Sequence, residues 1–310
     1  MPLHPQAKAI CDLTNATRVP VLPEDRVRQT RQGWGLYLAM AGGAPEPVFA
    51  VDDRDADGVP VRVYRPSAEP GLPIFVVLHG GGWVIGTVEQ FDIIARQLAN
   101  ASGAVVVSVD YRLAPEHPYP AGPDDCWRAL EWTAAHAAEI GGDASRIAIG
   151  GDSAGGNLAA VCALRARDEG GPELALQVLV YPVCDCDFET ESYVANGKGY
   201  LLEAEEMRWF FDCYARGQVD LADWQVSPLR APDLRGVAPA AVLTAEFDPL
   251  RDEGEAYADR LRDAGVAVEY RCFEGMVHGF FGLPAAYDAA RDAMAFVGTA
   301  LRRAFGTLDA

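Results

Sequence analysis

Three side chains suited to acyl-transfer chemistry stand at separate points of the chain, each shortly after a run of apolar residues. The first is Ser153, in the sequence Gly-Asp-Ser-Ala-Gly at 151–155, which follows the predicted strand 146–149. Small residues two positions before and after the serine let the chain turn sharply from strand to helix, so the hydroxyl projects at the positive helix end. The alternative is a glycine-rich turn that contains serine by accident, but the position between strand and helix favours a nucleophile.

A serine nucleophile needs a base, and the chain has five histidines that could supply one. His278, in Glu-Gly-Met-Val-His-Gly-Phe, follows an apolar run and is predicted by elimination to be the base. The others are a terminal residue (His4), one in a proline-rich run (His117) and one on an amphipathic helix (His136). His79 precedes three glycines, and we interpret it as a hydrogen-bonding brace for them.

The base in turn needs a carboxylate that orients its ring. Asp248 follows the apolar residues 240–245, in Glu-Phe-Asp-Pro-Leu-Arg-Asp, and is the predicted orienting acid. Two alternatives lie within four residues of it. Glu246 is closer to the strand and is expected to face away from the pocket, whereas Asp252 is expected to begin the following helix.

A glycine-rich loop is the fourth feature with chemical meaning. His-Gly-Gly-Gly-Trp at 79–83 directly follows the apolar run 74–78. Consecutive glycines leave their backbone N–H groups uncovered, so this loop can aim two donors at a developing oxyanion. A flexible turn is the alternative, but such turns seldom follow a buried strand so closely.

The elements that must position these residues form an alternating pattern. Apolar runs of strand length alternate with stretches of helix length, which predicts an α/β fold with a parallel sheet covered on both faces. The predicted strands are 74–78, 104–109, 146–149, 176–181, 240–245 and 268–273. The predicted helices are 91–101, 124–139, 157–169, 253–264 and 287–305. Before them, two alternating segments joined by Asp57 and Gly58 predict an antiparallel pair.

Two segments interrupt or precede this pattern. Residues 1–45 are predicted to be helical, and residues 183–225 hold no convincing buried strand but contain an aromatic-rich helix at 204–214. We interpret 183–225 as an insertion over the carboxyl edge of the sheet, where such folds place their active sites. Aromatic residues are candidates for lining an apolar pocket there, with packing between the segments as the alternative; they are Trp83, Trp209, Phe210, Phe211 and Tyr214.

Composition excludes several classes of function. The formal net charge of −19 argues against binding to nucleic acid or to anionic lipid. Seven scattered cysteines without a CxxC pair predict neither a disulfide framework nor a metal site, and favour a reducing compartment. No signal peptide is recognisable, and the longest apolar runs have strand length, so we expect a cytoplasmic protein.

Five motifs together carry a family resemblance. They are His-Gly-Gly-Gly-Trp at 79–83, Asp-Tyr-Arg-Leu-Ala-Pro-Glu at 110–116, Gly-Asp-Ser-Ala-Gly-Gly at 151–156, Asp-Pro-Leu-Arg-Asp-Glu at 248–253 and His-Gly-Phe at 278–280. Over residues 45–305 the chain resembles the hormone-sensitive-lipase-like family of α/β-hydrolases, especially bacterial carboxylesterases with an aspartate before the nucleophile. The chain order serine, aspartate, histidine is also that of the α/β-hydrolases.

The resemblance implies an α/β-hydrolase fold with a mostly parallel central sheet, helices on both faces and a helical cap. The implied cap comprises residues 1–45 and the insertion 183–225, and the implied catalytic domain comprises 46–182 and 226–310. It assigns Ser153, Asp248 and His278 as nucleophile, acid and base, and the backbone N–H groups of Gly81, Gly82 and Ala154 as oxyanion donors. It implies no metal and no cofactor.

The predicted function is therefore that of a serine carboxylesterase, which hydrolyses short- to medium-chain carboxylic esters through an acyl-enzyme. An amidase or deacetylase with the same triad is the alternative. A non-catalytic ligand receptor is a third, disfavoured because the nucleophile and the base are both retained. We expect a small-molecule ester as the partner and a monomer or homodimer. The segment 110–116 is expected to be scaffold whose charges pair internally.

Overall fold

A single eight-stranded β-sheet runs through the described part of the chain, with strand order β1-β2-β4-β3-β5-β6-β7-β8. The computed structural model describes residues 2–17, 23–217 and 219–308. The strands are β1 (Ala50–Ala56), β2 (Val59–Arg65), β3 (Leu72–Leu78), β4 (Val105–Val109), β5 (Gly142–Asp152), β6 (Leu174–Val180), β7 (Ala240–Phe247) and β8 (Val268–Val277). The α-helices in these residues are α1 (Pro5–Thr17), α2 (Arg26–Ala41), α3 (Asp92–Ser102), α4 (Ala121–Ala135), α5 (Ala154–Glu169), α6 (Glu191–Asn196), α7 (Ala204–Ala215), α8 (Arg251–Asp263) and α9 (Ala289–Ala304).

The sheet is antiparallel at one edge and parallel elsewhere. Strands β1 and β2 form the predicted antiparallel pair, and the turn between them is made by Asp57 and Gly58, both with positive φ. Strand β2 also pairs antiparallel with β4, and all later pairs, from β4–β3 to β7–β8, are parallel. The carboxyl ends of β5, β7 and β8 therefore lie at the same edge of the sheet.

Both faces of the sheet are buried, which is why its central strands are continuous apolar runs. Along β3, Ile74 and Val76 pack into one core cluster with residues of α4, α5 and α8. The intervening Phe75 and Val77 pack into a second cluster with residues of α3 and α9. The predicted α/β fold with helices on both faces is confirmed.

The element bounds differ from the sequence prediction where local signals are weak. Strand β5 begins at Gly142, because this residue pairs with Leu72 of β3. The predicted helix 124–139 is α4 followed by a short 3-10 turn at Ala137–Ile140, and α5 begins three residues early, directly after Ser153.

The segments predicted to form the cap contain α1 and α2, and α6 and α7. The sequence analysis does not predict the helix α6. Residues 1, 18–22, 218 and 309–310, which belong to the predicted domain ranges, lie outside the described residues. No helix in the described ranges is long and apolar enough to cross a membrane.

The charges of the segment 110–116 do not pair internally, so that expectation is wrong. Arg112 makes a two-pronged ion pair with Asp125 of α4, at 2.7 and 2.8 Å. Glu116 instead pairs with Arg31 of α2. The segment crosses between elements, and its charges reach the neighbours that pack against it.

Candidate active site

Ser153 occupies the one-residue turn between the end of β5 and the start of α5. Its φ of 57° and ψ of −119° are strained values for a residue with a side chain. The neighbouring backbone is so close that a Cβ on Gly151 or Gly155 would stand 2.3 or 2.0 Å from the carbonyl oxygen of Leu78. The small residues on both sides of Ser153 are therefore required by the packing of the turn against β3.

Ser153, His278 and Asp248 form a continuous chain of contacts. His278 Nε2 lies 3.0 Å from Ser153 Oγ, and His278 Nδ1 lies 2.7 Å from Asp248 Oδ2. Asp248 is fully buried, and its second oxygen accepts the backbone N–H of Leu250 at 2.9 Å. Because a carboxylate only accepts, the ring proton lies on Nδ1 and the Nε2 lone pair faces the serine hydroxyl.

The two other acidic candidates near Asp248 bind elsewhere. Glu246 accepts the backbone N–H of Gly275 at 2.7 Å. Asp252 accepts the backbone N–H of Ser192 at 2.7 Å and pairs with Arg251, so it anchors the start of α6. Of the three candidate acids, Asp248 is therefore the one that contacts His278.

The glycine loop after β3 lies beside Ser153. Gly81 and Gly82 have φ values of 118° and 56°, and a Cβ on Gly82 would stand 2.3 Å from the ring of Phe210. The N–H groups of Gly81, Gly82 and Ala154 donate to no protein acceptor within the described residues. Ala154 opens α5, and the first N–H groups of a helix lack an intrahelical acceptor. The arrangement leaves three donors available to a substrate oxygen.

His79 lies behind the glycine loop rather than beside the serine. Its Nδ1 is 2.8 Å from the carbonyl oxygen of Gly80, and its ring stacks on Tyr111 with a centroid distance of 4.3 Å. Burial lowers the pKa of His79, which keeps the imidazole neutral. These contacts fit the interpretation of His79 as a brace.

Asp152 contributes a contact that the sequence analysis did not anticipate. Its Oδ1 accepts the backbone N–H of Gly80 at 2.8 Å, which ties the glycine loop to the serine turn. Asp152 also lines the cavity described below. Burial raises the pKa of Asp152 to about 6, although the Gly80 N–H and nearby His278 act in the opposite direction.

A cavity of about 480 Å³ opens above these groups. Its floor includes Ser153, His278, Gly81 and Gly82, and its walls come largely from α1, α2 and α7. The wall residues that sequence analysis missed are Thr14, Thr17, Gln29, Thr30, Gly33, Trp34, Tyr37, Ile85, Leu201, Leu202, Glu206, Met207 and Gly279. Most stand on helices whose docking, not their sequence pattern, decides which side chains face the cavity.

Of the predicted aromatic lining, only Phe210 is among the residues that form the cavity wall. Trp83 instead stacks on Tyr214 at a centroid distance of 4.3 Å, and both side chains are buried. Phe211 packs against the edge of Trp83, and Trp209 lies under the guanidinium of Arg26. For Trp83, Trp209, Phe211 and Tyr214 the pocket role is corrected to packing, because Trp83, Phe211 and Tyr214 pack on one another and Trp209 packs against Arg26 of α2.

Sequence and structure comparisons agree with this fold. Residues 75–282 match the family described as the alpha/beta hydrolase fold. The carboxylesterase NlhH of Mycobacterium tuberculosis is 47% identical over 268 residues, which cover 83% of this chain and 84% of that protein. An ethyl acetate hydrolase of Pseudomonas putida is 37% identical, with 98% of this chain and 99% of that protein covered.

A solved structure agrees over nearly the whole chain. The hyperthermophilic esterase of the archaeon Pyrobaculum calidifontis superposes with a TM-score of 0.90 at 39% sequence identity, and 98% of this chain and 99% of that one are covered. The fold and these relatives define a hydrolase, and the serine turn lies at the carboxyl edge of its sheet. The chain belongs to the α/β-hydrolase family. The resemblance to its hormone-sensitive-lipase-like carboxylesterases is confirmed.

Proposed function

We propose that the protein is a carboxylic ester hydrolase that works through a covalent acyl-enzyme on Ser153. The observation that carries this proposal is the contact chain Ser153–His278–Asp248 at the floor of a cavity beside three available N–H donors. Carboxylic ester hydrolysis is also the activity in the names of the relatives, among them a carboxylesterase and an ethyl acetate hydrolase.

In the first step, Ser153 Oγ attacks the ester carbonyl carbon while His278 Nε2 accepts the hydroxyl proton. Asp248 holds the ring in the tautomer that leaves Nε2 free and stabilises the imidazolium that forms. The carbonyl oxygen becomes an oxyanion, and the N–H groups of Gly81, Gly82 and Ala154 are positioned to bind it. His278 then protonates the leaving alcohol, and the acyl group stays on Ser153.

In the second step, a water molecule takes the place of the alcohol. His278 Nε2 removes a proton from this water, which attacks the acyl carbon and forms a second oxyanion in the same donor set. Collapse of this intermediate breaks the bond to Ser153 Oγ, and His278 returns the proton to the serine. The products are a carboxylic acid and the regenerated enzyme.

The walls of the cavity support a preference for short to medium acyl chains. The volume of about 480 Å³ holds a small ester, and the lining from α7 includes the apolar Met207 and Phe210. We propose that residues 1–45 and 183–225 act as the cap that sets this limit, with 46–182 and 226–310 as the catalytic domain.

Location and assembly belong to the same proposal. The seven cysteines are all free, and four of them are buried, which supports a reducing compartment such as the cytoplasm. The partner we propose is a small-molecule ester, and the assembly is a monomer or homodimer.

The decisive experiment measures initial rates on p-nitrophenyl esters from acetate to dodecanoate, with the Ser153→Ala variant as the blank. We expect turnover with a maximum at short to medium chains and its loss in the variant, while circular dichroism shows an unchanged fold. A matched anilide measured beside the best ester separates esterase from amidase activity. Turnover that survives in Ser153→Ala, or faster cleavage of the anilide, would contradict the proposal.

A further inference from the structure

Arg31 of α2 reaches from the N-terminal helices to the backbone next to the glycine loop. Its Nε donates to the carbonyl oxygen of Val84 at 2.8 Å, and its Nη2 donates to that of Ala114 at 3.1 Å. The same guanidinium pairs with both oxygens of Glu116, at 2.9 and 2.7 Å. Four directed contacts from a side chain that is 32% exposed fix its position more firmly than a single surface ion pair would.

The carbonyl bound by Arg31 begins a hydrogen-bonded series of peptide groups. The carbonyl of Val84 and the N–H of Ile85 belong to one peptide group, and that N–H donates to the carbonyl of Gly81 at 2.9 Å. The carbonyl of Gly81 in turn shares its peptide group with the N–H of Gly82. The series therefore runs from a permanent cation through two peptides to the N–H of Gly82, a residue that lines the cavity.

Such a series acts on the terminal donor in two ways. It fixes the plane of the Gly81–Gly82 peptide, because the Gly81 oxygen accepts from both Val84 and Ile85, at 3.0 and 2.9 Å. It also polarises that peptide, since hydrogen bonds in series strengthen one another and a cation at the carbonyl end makes each N–H a better donor.

A second contact of Arg31 acts on the same loop. The N–H of Ala114, whose carbonyl Arg31 binds, donates to the carbonyl of Trp83 at 2.9 Å. Arg31 thus binds the carbonyls of Val84 and Ala114, and each lies next to an N–H, of Ile85 or of Ala114 itself, that donates to the segment 81–83. We propose that Arg31 is a positioning residue that sets the geometry and donor strength of the Gly82 N–H in the oxyanion site. The inference rests on the oxyanion role given to Gly82 in the proposed function.

The test compares Arg31→Ala with a matched arginine on the same helix. The guanidinium carbon of Arg26 lies 4.4 Å from the ring centroid of Trp209 in α7, and Arg26 makes no contact with the described glycine loop. Arg26→Ala therefore removes a contact between α2 and α7 but leaves the hydrogen-bonded series of peptides intact. We expect kcat on p-nitrophenyl butyrate to fall roughly 10- to 100-fold in Arg31→Ala, less than the effect of deleting an oxyanion donor. In Arg26→Ala it should stay within about twofold, and KM should change little in both.

A pair of inhibitors separates oxyanion binding from a general loss of structure. An alkyl trifluoromethyl ketone forms a tetrahedral adduct whose oxygen occupies the oxyanion site, and the corresponding secondary alcohol binds the cavity without such an oxygen. In Arg31→Ala the inhibition constant of the ketone should rise by the same factor as kcat/KM falls, with that of the alcohol unchanged. Added guanidinium at low concentration should restore part of kcat.

Two further variants keep the test decisive. Glu116→Gln removes the ion pair but leaves both carbonyl contacts, so its kcat should stay within about twofold of the wild type. Arg31→Lys keeps the charge and loses the fork that reaches two carbonyls, so a smaller fall of kcat is expected; it also replaces Arg31→Ala if that variant does not fold.

The inference would be overturned by an unchanged kcat in Arg31→Ala, or by equal losses of kcat in Arg31→Ala and Arg26→Ala. It would also be overturned if Arg31→Ala weakened the binding of the ketone and of the alcohol equally. The Ser153→Ala variant tests the proposed function independently of this inference. If the wild type hydrolyses the ester and Ser153→Ala does not, the proposed function stands even where the Arg31 inference fails.

Discussion

At the scale of single residues, Asp248 differs from its acidic neighbours in the group that its carboxylate contacts. Of these three acids, Asp248 contacts the imidazole of His278, whereas Glu246 and Asp252 accept hydrogen bonds from backbone N–H groups. The Asp248→Asn variant should lose about 10⁴-fold in kcat, because an amide in this place favours the wrong tautomer of the base. Assay of Glu246→Gln and Asp252→Asn, expected within a few-fold of the wild type, supplies the control.

A comparable loss in either control would move the role of orienting acid to that residue. Thermal unfolding of all three variants distinguishes this result from simple instability, because Asp252 also anchors α6 through Ser192.

The raised pKa of Asp152 predicts how the free energy of unfolding depends on pH. Its pKa is raised to about 6 in the folded protein, so the folded state binds the proton more tightly than the unfolded chain does. The stabilisation is fully present below the ordinary aspartate pKa and is lost as the pH rises through about 6. The amide introduced by Asp152→Asn does not titrate. The free energy of unfolding of this variant, relative to the wild type, should therefore be roughly 1 kcal/mol higher at about pH 8 than at about pH 5.

Urea unfolding of both proteins at the two pH values measures this difference. Because the comparison subtracts all other titrating groups, a difference that does not rise with pH would show that the pKa of Asp152 is not raised in the folded protein.

At the scale of elements, the glycine loop and α7 constrain each other. A Cβ at Gly82 would overlap the ring of Phe210, and the φ of 56° adds backbone strain for any side chain. Gly82→Ala should therefore lower kcat/KM by at least about tenfold. In the Phe210→Ala background the same substitution should do less harm, because only the backbone strain of about 1 kcal/mol remains.

A double-mutant cycle on kcat/KM with p-nitrophenyl butyrate measures this coupling. Equal effects of Gly82→Ala in both backgrounds would show that backbone strain alone, and not contact with α7, requires glycine at this position.

The centre of the sheet was predictable from the sequence because its central strands are buried on both faces and so read as unbroken apolar runs, as in 74–78 and 240–245. The ester hydrolase class followed from motifs at strand ends and is confirmed by the relatives. The roles of Ser153, Asp248 and His278 stay predictions, although the structure brings the three within hydrogen-bonding distance.

The parts that sequence did not reveal depend on distant contacts. The bond between Asp152 and Gly80 joins residues 72 positions apart, and no local pattern marks it. Trp34 and Tyr37 reach the cavity because of the way α2 docks, while Leu36 on the same helix is 67% exposed. Hydrophobicity alone did not distinguish these positions.

At the scale of the whole molecule, the net charge of −19 predicts how the thermal stability depends on the salt concentration. Like charges repel more strongly in the compact state than in the expanded chain, and salt screens this repulsion. The exposed ion pairs, such as Lys8–Asp12 and Arg235–Asp233, contribute little, so their screening should not offset the gain. We expect the Tm to rise by a few degrees between about 10 mM and about 300 mM NaCl.

Differential scanning calorimetry over this range measures the shift, and an equal osmolarity of sucrose controls for exclusion of solute. A Tm that falls with NaCl would show that the surface ion pairs outweigh the repulsion.

The order of the strands along the chain has a consequence for the chain during its synthesis. Ser153 and His278 are 125 residues apart, and the strands that precede Asp248 and His278 are the last two of the sheet in chain order. A nascent chain on the ribosome therefore carries Ser153 long before His278, which contacts it, and Asp248 have been made. Under the proposed function, a prematurely terminated chain has the serine but lacks its base, so we expect ester hydrolysis only after both synthesis and folding are complete.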